Sequence, residues 1–390
     1  MTVISAPAIL VSAETGADSG IVGPGAVVVE DGSIVDVVDH VPKSAADHVQ
    51  LPTGLLSAGM IDLQINGCFG VDFANASAED WTSVRRQLVQ TGVTTFLPTL
   101  ITTAIEDLVK QLNDVAGQVN ASGPPGSARA LGVHLEGPFL SPLRAGAHDP
   151  GLMSDPEDSI LDQLLADGRD ALVSLVTLAP ERAGSAAAIR RLCAAGIVVS
   201  VGHTDAIGEQ VSSAADAGAS MVTHIFNAQR GLHHREPGVP GIGLTDPRFR
   251  VGLIADFHHV DPEVIKLTFA AAPGRVVLVT DAVAAAGMPP GTNTLGNDTT
   301  VVVGPDQPPR RVDGTLAGST LTLDQAVRNV VALGISRDMA LRAATQVPAQ
   351  ALGRTDLGVL TPGAIADIVW WDHSLAVREV WVGGVRASQQ

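Results

Sequence analysis

His203 and His224 stand just after two short apolar runs, Ile197–Val201 and Ser220–Thr223, separated by an alanine-rich segment. Two neutral imidazoles fixed on neighbouring strand ends are what a zinc-like ion requires. Glu136 ends another apolar stretch, in HLEGPF, where a buried carboxylate needs a partner. A cation shared with the two histidines would supply one. Asp281 occupies the equivalent place in VTDA, and IADFHHVD puts Asp256, His258 and His259 at a further one. In DLQING, Gln64 and Asn66 alternate along one strand and can both point inward. Each of these residues alone reads as a cap or a satisfied core polar group. One Glu, one Asp and several His at matching positions read together as a metal-assisted active site.

Strands must carry these groups, and the sequence offers eight: Met60–Ile65, Thr94–Leu97, Leu131–Leu135, Leu172–Val176, Ile197–Val201, Met221–Thr223, Val251–Ile254 and Val276–Thr280. Spans such as Ala78–Thr91 and Ser185–Ala195 read as the connecting helices. Continuous alternation of this length predicts an α/β fold, a (β/α)8 TIM-like barrel with function beyond the strand C-termini. A doubly wound open sheet is the runner-up, but no G-x-G-x-x-G turn opens its first helix. Residues 293–313, rich in Gly and Pro around a TTVVV run, interrupt the alternation as an inserted hairpin. Residues 319–355 then read as helical, with Thr322 or Ser319 as the cap.

Outside the barrel the texture is short strands and turns. Gly25–Glu30, a turn at Asp31-Gly32 and Ser33–Val38 form a hairpin pattern. Ile368–Asp372, Val380–Val382, Gly383-Gly384 and Val385 repeat it near the other end. The expectation is a small β-domain built from residues 1–54 and 356–390, flanking a barrel at 55–355.

The chain has 390 residues, 45% hydrophobic and 17% charged, which suits a compact α/β protein. Its formal net charge of −17 argues against a nucleic-acid groove or an anionic membrane surface as partner. Cys68 and Cys193 provide no disulfide framework. With no charged leader before an apolar core and no run long enough to span a membrane, the expectation is a soluble cytoplasmic protein.

GMIDLQINGCFG, HLEGPFLSPLRAGAHDP, VGHTDA, THIFNAQRGLHHREPG, IADFHHVD, LVTDA, LAGS and PGAIADIV follow one another over nearly the whole chain. In this order they resemble N-acetylglucosamine-6-phosphate deacetylases of the amidohydrolase superfamily. HLEGPF followed by AGAH, and THIFNA followed by REPG, are the most specific parts. The resemblance implies a (β/α)8 barrel with a small β-sandwich, a homodimer, and hydrolysis of the acetamide of N-acetylglucosamine 6-phosphate in amino-sugar catabolism and cell-wall recycling. By position it implies Glu136, His203 and His224 as ligands of one divalent ion per subunit, Zn²⁺ first, with Fe²⁺, Mn²⁺ and Co²⁺ also suited. Asp281 resembles the general base, and His148 the histidine that polarises the amide carbonyl. Asn227, Ala228 and Arg235 resemble the phosphate-receiving segment. Ala147, His259, Leu316, Ala317 and Gly318 resemble further substrate contacts.

Many amidohydrolases carry H-x-H after the first strand and use it to hold a second metal. Here those positions are Gln64 and Asn66, and amides are poor zinc ligands beside imidazole. The second position is therefore expected to be vestigial, which counts against hydantoinase-like and dihydroorotase-like readings. A deacetylase for the galactosamine isomer, or a related amidohydrolase, remains the nearest alternative. A non-catalytic barrel would have lost metal ligands, whereas Glu136, His203, His224 and Asp281 are all present.

Overall fold

In the computed structural model, which describes residues 1–11, 20–41, 47–296, 299–304 and 307–388, eight parallel strands form the central barrel. They are β1 (Met60–Ile65), β2 (Val93–Ile101), β3 (Val133–Glu136), β4 (Val173–Leu178), β5 (Val198–Val201), β6 (Met221–Val222), β7 (Arg250–Leu253) and β8 (Val276–Leu278). Each pairs with the next in sequence order, as the alternation predicts. Their apolar runs are buried on both faces, because the surrounding helices cover the outside and side chains fill the inside. β2 is longer than expected and continues through Pro98, which sits at an irregularity in the β1–β2 ladder. Such a bulge is where a strand tolerates a missing N–H.

β1 and β8 close the barrel without a continuous ladder. Ile65 and Ala282 form an isolated parallel bridge, and the Asp281 N–H donates to the Gln64 carbonyl at 2.8 Å. Beneath it, the Thr280 hydroxyl donates to Asp62 Oδ2 at 2.6 Å. Burial pushes this Asp62 carboxyl up to about 7, against the hydrogen bonds from Thr280 and Gln64 that lower it. Across the interior, His134 contacts the hydroxyls of Thr99 and Thr177 at 3.2 and 2.8 Å, and Thr223 joins Thr177 to Ser200. Burial drives His134 down to about 4, so a neutral imidazole and hydroxyls fill the layer below the strand ends.

Local chemistry fixes the connections. The helix Ala78–Leu88 starts at Ser77, whose side chain accepts from Asp80 N–H while the Asp80 carboxylate takes the Ser77 N–H. A short 3-10 turn extends it to Thr91, and Gly92 at φ +81° turns the chain into β2. Trp81 of that helix packs on Phe73 and Phe96, with ring centroids 4.9 and 6.2 Å away. The expected helical stretch 319–355 is three helices, Leu323–Ala332, Arg337–Ala344 and Gln346–Ala351, with Gly334 at φ +91° between the first two. Thr322 stands at the cap position of the first, but its side chain makes no hydrogen bond to the helix N–H groups.

Both ends of the chain contribute to one β-rich layer. Leu55–Ala58 runs antiparallel to Ile368–Trp371, and Trp371 Nε1 donates to Ser57 Oγ at 2.8 Å. The resulting six-stranded sheet also includes Ile9–Val11, Gly20–Val22, Val377–Val382 and Val385–Arg386. A four-stranded sheet of Ser33–Val38, Gly25–Glu30, Thr2–Ala6 and Asp47–Gln50 packs with it through Ile4, Val27, Leu56 and Trp381. Within the interrupting segment, Gly291–Leu295 pairs antiparallel with Thr299–Val303, and Arg310–Arg311 adds a third strand. Residues 297–298 and 305–306 of that expected hairpin, and 12–19 and 42–46 of the small β-domain, lie outside the described residues.

Candidate active site

Three side chains converge where β3, β5 and β6 end. Glu136 closes β3, and His203 and His224 each follow their strand by two residues. Nε2 of His224 and of His203 lie 3.0 and 3.3 Å from the same oxygen, Glu136 Oε1, and 3.2 Å from each other. All three residues are buried, with one ligand atom from each inside 4.8 Å of the others. Two imidazole lone pairs at such a separation repel unless a proton or a cation lies between them. His203 Nδ1 is 3.0 Å from the Arg144 carbonyl, which holds the proton on Nδ1 and turns the Nε2 lone pair inward. Two inward imidazoles and one carboxylate fit a divalent ion of zinc-like character.

The turns that present these groups are strained. His203, His224 and Asp281 have φ of +46°, +24° and +47°, in a region non-glycine residues rarely adopt. Such conformations persist where surrounding contacts over-determine them. Glu181 accepts from Thr204 Oγ1 and, at 2.7 Å, from the Asp205 N–H, while the Ser141 N–H donates to the His203 carbonyl at 2.9 Å. The loop from Ser141 to His148 thus orients His203 and carries a histidine of its own.

Asp281 faces the cluster from the barrel seam. Asn66 Nδ2 donates to its Oδ1 at 2.8 Å, and Gln64 Nε2 donates both to that oxygen at 3.2 Å and to Glu136 Oε1 at 2.9 Å. The two amides in the vestigial positions therefore clamp the two carboxylates. Burial, with the Glu136 charge adding to it, pushes Asp281 up to about 6, against the opposing pull of His224, His259 and the Asn66 hydrogen bond. Burial also works against Glu136, but hydrogen bonding to His148, His203 and His224 outweighs it and holds that carboxyl well below its ordinary range. His148 is shifted down by burial and then by His203, which favours its neutral form.

Asn66, Glu136, His148, His203, His224 and Asp281, but not Gln64, line a cavity of about 240 Å³ with Asn227, Ala228, His259, Leu316 and Gly318. His148 enters with Nδ1 3.0 Å from Thr102 Oγ1 and Nε2 3.7 Å from Glu136 Oε2. His259 enters with Nδ1 2.7 Å from Asp256 Oδ2, and the other Asp256 oxygen accepts the His258 and His259 backbone N–H groups. Ala147 lies on the wall shared with a neighbouring cavity of about 660 Å³. Ala317 is different: it is fully buried against Val283 and Ala285, and only its neighbours reach the cavity. Arg235 is not brought in either. It is exposed on the 231–235 loop, with Nη1 2.9 Å from His234 Nε2.

Sequence reasoning placed Asp256 at a strand end but did not pair it with His259. It missed Thr102, which lies just past the end of β2 and holds His148. The Arg144 carbonyl is backbone and leaves no residue-type signature.

Comparison with known proteins adds to this geometry. The Amidohydrolase family model matches residues 55–387. An N-acetylgalactosamine-6-phosphate deacetylase from Escherichia coli O157:H7 is 38% identical over 91% of this chain and 93% of its own. An N-acetylglucosamine-6-phosphate deacetylase from Danio rerio is 40% identical, with 87% of this chain and 86% of its own covered. A mutant N-acetyl-D-glucosamine-6-phosphate deacetylase from Mycobacterium smegmatis, solved with N-acetyl-D-glucosamine-6-phosphate, superposes with a TM-score of 0.91 at 36% identity, covering 100% of this chain and 99% of that one.

Proposed function

The chain belongs to the amidohydrolase family, and from that premise we propose that it hydrolyses the acetamide of N-acetyl-D-glucosamine 6-phosphate to D-glucosamine 6-phosphate and acetate. The observation that carries this reading is the meeting of Glu136, His203, His224 and Asp281 in one cavity, in a chain this similar to sugar-phosphate deacetylases.

Glu136, His203 and His224 would hold one divalent ion, Zn²⁺ being the best match to two imidazoles and a carboxylate, with Fe²⁺, Mn²⁺ and Co²⁺ also accommodated. Bound there, it supplies Lewis acidity to the amide carbonyl and acidifies water. Asp281, raised by burial yet still ionised at neutral pH, accepts the proton of the attacking water. It returns that proton to the nitrogen, because an amide anion cannot leave. His148, with Nδ1 engaged by Thr102, points Nε2 toward the developing oxyanion. The Asn227-Ala228 turn receives the sugar phosphate; Arg235 lies outside the cavity lining, and its guanidinium would join only from the exposed 231–235 loop. His259 and the Ala147 and Leu316–Gly318 segments bound the sugar, so remote binding energy orients the amide. The resemblance also supports a cytoplasmic homodimer acting in amino-sugar catabolism and cell-wall recycling.

The test is acetate release from N-acetylglucosamine 6-phosphate by protein of defined metal content. No release by fully metallated protein would end this reading. A second reading, the galactosamine isomer as substrate, is favoured by the Escherichia coli relative. Turnover of both sugar phosphates side by side distinguishes the two.

A further inference from the structure

We propose that Asp62 and Thr280 are positioning residues for Asp281, pinning the open seam between β1 and β8 so that its carboxylate stays in register with the amides of Gln64 and Asn66. The inference rests on the deacetylase reading for what Asp281 does.

The β8 ladder stops at Leu278, so residues 279–282 hold to β1 only through point contacts. Asp62 provides two of them. Its Oδ2 accepts the Thr280 hydroxyl at 2.6 Å, and its Oδ1 lies 3.3 Å from the N–H groups of both Thr280 and Gln64. The Thr280 oxygen in turn accepts the Ala282 N–H at 3.2 Å, bracketing Asp281 from both sides. On the far side, Ser319 Oγ donates to the Thr280 carbonyl at 2.6 Å, and the Ser319 N–H donates to the Asp281 carbonyl at 2.8 Å. Asp281 sits at φ +47° inside this bracket. A left-handed non-glycine residue relaxes when its neighbours stop over-determining it.

Geometry gives the pin a consequence for chemistry. Asp62 and Gln64 lie in β1 with Asn66 just past it, and Thr280 and Asp281 follow the end of β8 by two and three residues. The contacts that align the two backbones therefore also set the 2.8 and 3.2 Å distances from Asn66 and Gln64 to Asp281. Asp62 is fully buried and reaches neither the cavity lining nor the three-ligand cluster. Its effect on turnover must pass through the backbones it joins, that of Thr280 and Asp281 on one side and that of Gln64 on the other. The bland alternative is a buried polar pair that stabilises the barrel and nothing more.

Three variants separate these. Thr280→Val keeps shape and removes the hydroxyl; Thr280→Ser keeps the hydroxyl. The double variant Asp62→Ala/Thr280→Val removes the carboxyl as well, so that no buried charge is left unpaired. Metal content, Tm, kcat and KM are measured on each, with rates per folded, metal-loaded chain. The expected result is a kcat lower by about ten- to a hundred-fold in Thr280→Val and in the double variant, about 1.4–2.7 kcal/mol of barrier. KM and metal content should stay within about two-fold of wild type, and Thr280→Ser should recover most of kcat. Wild-type kcat per loaded chain in either hydroxyl-free variant overturns the proposal, as does failure of Thr280→Ser to recover. Amide hydrogen exchange at residues 281–283 needs no substrate and should quicken in Thr280→Val alone of the two single variants. An inactive wild type would thus sink the deacetylase reading, while unchanged exchange would sink the seam.

Discussion

Gln64 Nε2 lies 2.9 Å from Glu136 Oε1, so an amide on the first strand holds a carboxylate on the third across the barrel mouth. Its second hydrogen points to Asp281 Oδ1 at 3.2 Å. A side chain in a position that other amidohydrolases give to a metal-binding histidine here donates to two anions. Gln64→Ala should leave one metal per chain and lower kcat about ten-fold or more, since hydrogen bonds to charged groups contribute about 1.5–3 kcal/mol. Unchanged kcat at full metal content would show the clamp to be idle.

Removing either inward imidazole should empty the metal site. His203→Ala and His224→Ala are each expected to abolish tight metal binding and acetate release together. Elemental analysis of wild type should find one divalent ion per chain. Two ions per chain, with Gln64 and Asn66 directly ligating one, would overturn the single-site reading.

Asp281→Asn preserves size but cannot accept a proton. It should lower kcat by roughly two to four orders of magnitude with metal content near wild type, the range of a lost general base. Near-normal turnover by the loaded variant would remove Asp281 from the reaction.

The pH profile gives the same residue a second test. Asp281 must be unprotonated to act, and burial puts its carboxyl at about 6 before any cation is bound. A divalent ion nearby favours the carboxylate and moves that value lower. kcat/KM should therefore climb with pH up to an inflection at or below about 6 and stay flat above it. Metal content measured at each pH separates this limb from loss of the ion. A limb near pH 8 at constant metal content would be incompatible with Asp281 as the base.

Arg235 tests the phosphate. As an exposed surface group, its side chain would contribute about 0–1 kcal/mol to stability and nothing to turnover. If it grips phosphate, Arg235→Ala should cost about 2–5 kcal/mol in kcat/KM on N-acetylglucosamine 6-phosphate. The loss should be much smaller on unphosphorylated N-acetylglucosamine, and comparing both substrates cancels general damage to the fold. Equal losses would take Arg235 out of the phosphate site.

The meeting of the site's groups was legible in the sequence because they are side chains of distinctive type at strand ends. Glu136, His203, His224 and Asp281 meet as their positions implied, and β1 matches its expected span residue for residue. What stayed hidden depends on backbone direction. Nothing in residue type says that Gln64 and Asn66 point at carboxylates, or that the Arg144 carbonyl selects the tautomer of His203. Strand ends were harder for a related reason. β6 stops at Val222 because the chain must turn sharply to bring His224 inward, a demand of the site and not of hydropathy.

The bond from Trp371 Nε1 to Ser57 Oγ joins residues 314 positions apart, and the strands carrying them pair side by side. Pairings across such separations are slow to form, because loop-closure entropy comes before any reward. During synthesis the Leu55–Ala58 edge must wait, unpaired, until Ile368–Trp371 has left the ribosome. The barrel can assemble in that interval, whereas the sheet beside it completes last. Until then an open apolar edge is offered to other chains. Refolding yield should accordingly fall with protein concentration more steeply than the acidic composition of the chain would suggest.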